Sequence, residues 1–267
     1  MSRWHRLLLA IVAASPPLVA RAESVPFVGC PSEGQAGAAP APPSGPVPRV
    51  AGAAARHLAY YRSETLAVLA PRGWHCLALR GPDGASLLVT RDPFEAADWT
   101  GQRRYSGPAV QLSVILPPRI RPGEPATRSG HAEFVARYFP LFLDRVRHLA
   151  SVESLREPLP WGPYPEDRIR RRSASWIAYV TPPGREGLGT SGALAPAGLP
   201  IRGWLRFAPD DGLSLLKLHI RLPRRARNVE AAIQRQVLAG LAAERGGRTG
   251  GRTTGLRRPA AGAAAAR

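Results

Sequence analysis

The chain has 267 residues and a formal net charge of +18 at pH 7, from 37 Lys and Arg against 19 Asp and Glu. A basic excess of this size would favour a nucleic acid or an anionic membrane as partner. Because Lys217 is the single lysine and the chain is rich in alanine, glycine and proline, we attribute much of the arginine to GC-rich codon usage. We therefore expect no specific nucleic-acid partner and a single globular domain of ordinary size.

The N-terminal segment has the layout of a bacterial signal peptide. A basic start precedes an apolar run over residues 7–14, and Ala20 and Ala22 supply the small side chains that a signal peptidase reads. The apolar run is too short to span a bilayer, and no later segment reaches that length without a charge or a proline. We expect residues 1–22 to be removed by cleavage after Ala22, which makes the mature chain periplasmic or secreted, without a transmembrane segment.

The two cysteines of the chain are Cys30 and Cys76. An even number of cysteines in an exported chain favours a disulfide bond, because the compartments outside the cytoplasm are oxidising. A bridge across this sequence separation would stabilise the fold by about 4 kcal/mol at best. An alternative stays open, since Gly29 before Cys30 is typical of a lipid-attachment site, although charged residues and a proline separate it from the apolar run.

Residues 23–55 are predicted to be a Pro/Ala-rich extended arm. Their proline, glycine and alanine content cannot bury enough apolar surface to order a core element. Residues 53–61 then show the pattern of a short amphipathic helix. His57 within that helix is expected to lie at the surface.

Four β-prone runs follow, bounded by turn-forming residues. Glycine, proline and aspartate at residues 81–84 predict a tight hairpin turn between the second and third runs. Pro117 and Pro118 end the fourth run. We predict these strands at residues 66–70, 74–79, 86–90 and 109–116.

Residues 129–149 carry the longest helical pattern, with apolar side chains, Leu141 among them, near the spacing that lines one face of a helix. Pro140 lies inside this pattern and is expected to bend the helix or split it in two. The remaining predicted elements are strands at residues 175–180, 201–207 and 213–222, a hairpin turn at 209–212, and a helix from Asn228 to about Ala243.

Together these elements predict an α+β fold, with a single domain at residues 56–244 built from a mostly antiparallel sheet and two to three packed helices. Arginine, glycine and alanine dominate residues 245–267. A segment of that composition is predicted to be a disordered tail.

Sequence motifs for catalysis are weak or absent. The chain has no C-x-x-C, H-E-x-x-H or G-x-x-x-x-G-K motif, so no metal or cofactor site is predicted. Ser191 lies between small residues but outside a G-x-S-x-G motif, and none of the histidines stands out as its base. Glu166 and Asp167 are adjacent and would face opposite ways in an extended stretch. No catalytic residue is assigned, and an envelope hydrolase using Ser191 or Glu166 is kept as an alternative function.

Two loops are candidate ligand-binding segments. Trp161 and Tyr164 belong to a rigid, proline-containing aromatic loop of the kind that contacts sugars or peptides. Gly189, Thr190 and Ser191 belong to a glycine-rich loop. The arginine clusters beside the apolar runs are interpreted as solvated flanks that allow weak contact with an anionic surface, with polyanion or anionic-lipid binding as a further alternative.

Five motifs, taken together, resemble a family of exported proteobacterial proteins of unassigned function. They are Pro-Phe-Val-Gly-Cys at residues 26–30, Ala-Pro-Arg-Gly-Trp-His-Cys at 70–76, Gly-Pro-Ala-Val-Gln-Leu at 107–112, Gly-Pro-Tyr-Pro at 162–165 and Glu-Gly-Leu-Gly-Thr-Ser at 186–191. The resemblance spans about residues 26–223 and implies export but no activity. A strand followed by Pro-x-Gly-Trp is also similar to the Mog1/PsbP type of α/β/α sandwich, which implies a sheet covered by helices.

The predicted function follows from the compartment and from the missing motifs. We expect an exported protein that binds an envelope protein or ligand and does not catalyse a reaction. The hydrolase and the polyanion-binding protein are the alternatives.

Overall fold

The computed structural model describes residues 22–35, 37–100, 102–117, 130–147, 162–210 and 212–250. The predicted signal peptide apart from its last residue, Trp161, and the tail beyond Gly250 lie outside these residues. The strands of the described part are β1 (Ala22–Ser24), β2 (Phe27–Gly29), β3 (Ser32–Gly34), β4 (Arg49–Ala51), β5 (Leu58–Arg62), β6 (Ala67–Pro71), β7 (His75–Gly81), β8 (Gly84–Thr90), β9 (Ala109–Ile115), β10 (Arg168–Ser173), β11 (Trp176–Thr181), β12 (Ile201–Ala208) and β13 (Ser214–Arg221). Its α-helices are α1 (Ala96–Thr100), α2 (Gly130–Tyr138), α3 (Leu143–Arg147) and α4 (Arg227–Gly250).

Eight strands form the main sheet, in the order β10-β11-β12-β13-β9-β8-β7-β3. Neighbouring strands are antiparallel except β3 and β7, which run parallel. The hairpin turns predicted at residues 81–84 and 209–212 connect β7 to β8 and β12 to β13, and they contain Gly84 and Gly212, whose positive φ favours glycine. Two smaller sheets have the orders β2-β5-β6 and β1-β4. The predicted α+β fold with a mostly antiparallel sheet is confirmed.

The main sheet has an apolar core on each face. Successive side chains of a strand point to opposite faces, so Leu218 and Ile220 of β13 join one core while Leu215 joins the other. The first core includes Ile233 of α4 and Leu69 of the three-stranded sheet, and we call this side the α4 face. The second core includes side chains of α2 and α3, namely Val135, Phe139 and Val146, and we call this side the α2 face.

The predicted helix at residues 129–149 is split at Pro140. Helix α2 ends at Tyr138, a 3-10 turn covers Pro140–Phe142, and α3 follows. Proline has no N–H and its ring clashes with the preceding turn, so the α-helix cannot continue through it. The break also changes the direction in which later side chains point, and Leu141, expected on the apolar face, is 81% exposed.

The helix predicted at residues 53–61 is wrong. A 3-10 helix covers Gly52–His57, and the chain then enters β5, which pairs with β2 and β6. Aromatic Tyr60 and Tyr61 suit a strand, and the Tyr61 hydroxyl donates to the Pro71 carbonyl at 2.8 Å and accepts from the Trp74 amide at 2.9 Å. These long-range partners override the local helical pattern. His57 is exposed, as expected.

The predicted Cys30–Cys76 disulfide is confirmed, with the two Cα atoms 5.4 Å apart. It fastens the proline-rich arm to β7, and the parallel pairing of β3 with β7 begins two residues after Cys30. Cys30 is fully buried in the core of the α4 face. The arm therefore contributes short strands and four residues of this core, Val25, Cys30, Val50 and Ala55, which its composition did not predict.

Two further differences concern β10 and α4. Strand β10 was not predicted, because its arginines hide the strand pattern; they lie on exposed positions of the sheet edge. Helix α4 continues to Gly250, past the predicted end near Ala243 and into the first residues of the segment predicted as a tail. Within the described residues, no helix is long and apolar enough to cross a membrane.

Candidate functional site

The glycine-rich loop lies on the α2 face, between β11 and β12. Its centre is a 3-10 turn, Leu188–Thr190, closed by hydrogen bonds within the loop. The Thr190 hydroxyl donates to Glu186 at 2.6 Å and accepts from the Gly187 amide at 2.9 Å. Glu186 in turn binds Arg104 with both carboxylate oxygens, at 2.6 and 3.1 Å, and these contacts lower the pKa of Glu186.

Two glycines let this loop rest directly on the sheet. A Cβ atom at Gly189 would lie 2.7 Å from the Ile201 side chain, and one at Gly192 would lie 2.8 Å from the Gln111 amide group. Both separations are shorter than real Cβ contacts. The composition of the loop is thus explained by its close approach to β9 and β12.

Under the loop lies a group of buried polar side chains, which we call the polar cluster: Gln111, Ser113, Lys217, His219 and Arg221. All five belong to β9 or β13, are buried, and share one face of the sheet. The Gln111 amide nitrogen donates to Ser113 at 3.2 Å, while its oxygen accepts from the Ala193 amide of the loop at 3.1 Å. The cluster therefore supplies some of the hydrogen bonds that the loop does not make within itself.

Arg221 fastens two loops at once. Its guanidinium donates to the Gly107 carbonyl at 2.8 Å, to the Ala195 carbonyl at 2.6 Å, and to the Tyr105 carbonyl. Burial lowers the pKa of Arg221 to about 10, so the group stays charged at neutral pH. Carbonyl oxygens replace the water that a buried cation would otherwise need.

Asp167 fastens the start of the glycine-rich loop. Its carboxylate accepts from the Thr181 hydroxyl at 2.6 Å and from the Leu188 amide at 2.8 Å. Burial raises its pKa, although these hydrogen bonds oppose the shift. The neighbouring Glu166 is exposed and lies 4.0 Å from Arg185. The two adjacent carboxylates thus have different surroundings and do not form a pair.

Lys217 is the buried cation that contacts Ser191. Its ammonium donates to the Ser191 carbonyl at 3.0 Å, and its Nζ lies 3.4 Å from Ser191 Oγ. The Phe134 ring of α2 lies 4.4 Å from Nζ, a cation–π contact. Within the described residues, no carboxylate forms an ion pair with Lys217, and burial lowers its pKa to about 8.

His219 follows Lys217 on the same face of β13. Burial, together with the charge of Lys217, holds the pKa of His219 well below its usual range, so the imidazole is neutral. Its Nδ1 shares a hydrogen bond with the Tyr179 hydroxyl, and its buried Nε2 has no partner among the described residues. Within the described residues, His219 makes no hydrogen bond to Ser191, so it has the position of a packing residue.

The predicted ligand-binding residues fall into three groups. Trp161 lies outside the described residues. Tyr164 is half-buried under Arg137, whose guanidinium carbon lies 4.5 Å from the ring centre. Gly189 and Thr190 are buried, whereas Ser191 is half-buried and keeps exposed surface. Sequence reasoning missed Lys217; the signal was a lone lysine in an alternating strand of an arginine-rich chain.

The α4 face carries a groove, which no sequence pattern indicated. It has a volume of about 540 Å³ and lies between the β7–β8 turn, the end of β9 and the β5–β6 connection. Val114, Leu66 and Leu116 are among its apolar walls, with Arg80 as its cationic residue. A smaller cavity of about 200 Å³ shares Leu66 and Val114 with it and reaches α4.

No known protein family, curated protein or solved structure matches this chain. Within the described residues, no group of three or more His, Cys, Asp or Glu side chains could hold a metal ion.

Proposed function

We propose that the protein acts outside the cytoplasm as a binding protein of the cell envelope, with an amphiphile in the groove of the α4 face as ligand. The ligand would have an apolar chain and an anionic head. The observation that carries this proposal is the groove itself, an apolar concavity with a single arginine in its wall.

The size and lining of the groove support a small-molecule ligand. Ligand sites in proteins commonly measure about 300–1,000 Å³ and combine apolar walls with a few polar groups. The groove has about 540 Å³ and is walled by Leu66, Val114 and Leu116. The exposed apolar area of Leu116, which is 37% accessible, would be covered by an apolar chain, and this burial would supply most of the affinity.

Charge complementarity supports an anionic head. Arg80 pairs with the half-exposed Glu64 at 3.2 Å, and its buried Nε has no hydrogen-bond partner within the described residues. An exposed ion pair of this kind contributes little to stability. A carboxylate or phosphate at the mouth of the groove would compete with Glu64 for the terminal nitrogens of Arg80 through charge-assisted hydrogen bonds. Arg62 lines the adjoining cavity and adds to the positive potential.

The compartment is supported by the disulfide together with the signal-peptide pattern. Disulfides persist in oxidising compartments and are rare in the cytosol. We expect the intact mass of the protein recovered from the periplasm to be that of a chain beginning at Glu23. Without reduction, this mass should be lower than that of the reduced protein by two hydrogens. A chain that keeps residues 1–22, or an acylated Cys30, would contradict it.

Binding of a fluorescent fatty acid, in competition with an unlabelled fatty acid and with the fatty alcohol of equal length, tests the ligand. Val114→Trp fills the groove, and we expect it to weaken fatty-acid binding more than about tenfold, or 1.4 kcal/mol. Leu141→Trp is the matched control, because Leu141 is 81% exposed on the other side of the sheet. Arg80→Met removes the partner of the head group and should weaken binding of the acid but not of the alcohol.

Two outcomes would contradict the groove as the binding site. One is the absence of saturable binding by the wild-type protein. The other is equal weakening by Val114→Trp and Leu141→Trp, with both variants folded by circular dichroism.

A further inference from the structure

Lys217 stands out by residue type as well as by position. It is the single lysine among 37 basic residues, and it occupies the position whose side chain reaches Ser191 from beneath. A guanidinium stays protonated in proteins and cannot accept a proton, whereas a buried amine loses its proton readily. Among the 37 lysine and arginine side chains, the one that can act as a base is therefore in contact with a half-buried serine.

The geometry fits a serine with a buried base. Ser191 keeps exposed surface, Lys217 is 4% exposed beneath it, and Nζ lies 3.4 Å from Oγ. The Ser191 hydroxyl donates to the Leu188 carbonyl at 2.6 Å, and a χ1 rotation would turn it towards Nζ. Lengthened contacts of this kind between nucleophile and base are common in free enzymes.

The side chains opposite the Lys217 amine carry no charge that would couple to its titration. The residues opposite it are uncharged: Ser113 on β9, Leu205 on β12 and Phe134 on α2. The neighbour on its own strand, His219, is kept neutral by burial. Desolvation is the one cause of the lowered pKa of Lys217, about 8. A substantial fraction of the amine is thus unprotonated at slightly alkaline pH.

Gly192 supplies a donor for the negative charge that develops on an attacked carbonyl. Within the described residues, its backbone N–H makes no hydrogen bond, in contrast to the N–H of Ser191, which donates to the Leu188 carbonyl at 3.2 Å. The N–H of the residue after a nucleophilic serine is a common oxyanion donor. Gln111 keeps this position free of a side chain, since it lies 2.8 Å from where a Cβ would be.

We propose that Ser191 is an acyl-accepting nucleophile with Lys217 as its general base, and that its substrate is a carboxylic ester. The neutral amine takes the Ser191 hydroxyl proton as Oγ forms a bond to the acyl carbon. The ester C–O bond then breaks, and the alcohol leaves with the proton that Lys217 returns. Water attacks the acyl-serine in the same way, Lys217 again carries the proton, and the carboxylic acid and free Ser191 result. An ester is favoured over an amide because an alkoxide is a better leaving group than the far more basic amide anion.

This activity is independent of the groove ligand, since Ser191 and Lys217 lie on the α2 face and the groove lies on the α4 face. The competing explanation is that Lys217 only fastens the loop through the Ser191 carbonyl. That structural role predicts no covalent adduct and no dependence of Ser191 reactivity on pH near 8.

Labelling of the mature, disulfide-bonded protein with a fluorophosphonate probe, followed by intact mass and peptide mapping, tests the proposal. We expect one adduct, on Ser191, formed at a rate that rises with pH through a midpoint near 8, where Lys217 becomes neutral. Ser191→Ala should abolish the adduct. Ser175→Ala is the matched control, since Ser175 is also half-buried but has no basic partner among the described residues.

Variants at Lys217 distinguish a general base from a cation that only holds the loop through the Ser191 carbonyl. Lys217→Met and Lys217→Arg should each lower the labelling rate by about a hundredfold or more, the usual contribution of a general base, because arginine keeps the charge but cannot take a proton. If either variant does not fold, the proposal is tested by the wild-type protein alone, through the pH dependence of its labelling rate and the residue that carries the adduct. An unlabelled wild type between pH 6 and 9.5, an adduct that survives in Ser191→Ala, or a rate without a midpoint near 8 would each overturn the proposal.

Discussion

The two faces of the main sheet solve the same packing problem with different chemistry. On the α4 face, Leu218 and Ile220 of β13 meet apolar side chains of a helix and a small sheet. On the α2 face, Lys217, His219 and Arg221 of the same strand lie beside the glycine-rich loop, which buries Leu188 and Leu194 in the core but has backbone groups that need hydrogen-bond partners. A helix satisfies its own backbone groups, so apolar contacts suffice to hold it. A loop does not, so the sheet must supply hydrogen-bond partners.

This difference divides the polar cluster into two kinds of residue. Hydrogen bonds to loop backbone explain why some members are buried, but they do not explain the burial of Lys217. Arg221 and Gln111 each bind backbone groups of loops, and this explains their burial. Lys217 also binds a loop carbonyl, but it sits beside a hydroxyl and has a strongly lowered pKa. Burial of an amine is costly, and a neutral amide such as Gln111 could donate to a carbonyl without that cost.

The largest expected effect comes from Arg221, on the polar side of the comparison. Arg221→Met leaves three loop carbonyls without their donor, and we expect a loss of about 3 kcal/mol or more in the free energy of unfolding. Urea unfolding measures the loss. The matched Arg170→Met variant, at an exposed position of β10, should change stability by less than about 0.5 kcal/mol.

A variant on the α4 face sharpens this prediction. Ile233→Ala should lower the free energy of unfolding by about 2–5 kcal/mol through the cavity that it creates. This loss is similar in size to that of Arg221→Met but arises on the other face of the sheet. Hydrogen exchange of the Tyr105 and Ala195 amides should accelerate locally in Arg221→Met, beyond what the lower global stability explains, and not in Ile233→Ala. Equal local acceleration in both variants would show that the loops depend on the whole core and not on Arg221.

A smaller effect is the dependence of stability on pH that Lys217 introduces. Its pKa is about 8 in the folded protein and 10.5 in its unperturbed state, so between these values the unfolded chain binds more protons. Stability therefore rises with pH across this window, by up to about 1.4 kcal/mol per pH unit. We expect a gain of up to about 2 kcal/mol between pH 8 and 9.5 in the wild type, measured by urea unfolding.

Lys217→Met should lack this rise while keeping the rest of the profile. The window ends below pH 10 because Arg221 and the buried tyrosines begin to contribute there. A wild-type profile that is flat or falls between pH 8 and 9.5 would mean that Lys217 is not desolvated as described.

Local patterns were enough to predict much of the fold. The turn at residues 81–84 and the split at Pro140 depend on backbone angles and on a missing N–H, which a few neighbouring residues determine. The Cys30–Cys76 bridge follows from the count of cysteines together with the expected oxidising compartment. Strand β5 was mistaken for a helix because its partners β2 and β6 lie elsewhere in the sequence, and those partners decide its conformation.

The candidate site was predictable only in part. The small residues around Ser191 indicate a possible nucleophile, but the sequence singles out no base for it among the histidines. The Lys217–Ser191 contact depends on the register of β13 against β9 and β12 and on the position of the glycine-rich loop on the sheet. Neither can be predicted from the preferences of single residues. The groove has the same origin, since its walls come from the β5–β6 connection, the β7–β8 turn and the end of β9, which lie apart in the sequence.

The ends of the main sheet bear on how the protein behaves at high concentration. A sheet that is not closed into a barrel exposes unpaired backbone groups on its outermost strands, which can recruit another copy and start aggregation. Here one outermost strand is β3, three residues long, and the other is β10, whose exposed side chains include Arg168, Arg170, Arg171 and Arg172. Like charges repel a second β10, so these arginines favour a chain that stays dispersed, whatever codon usage first placed them there.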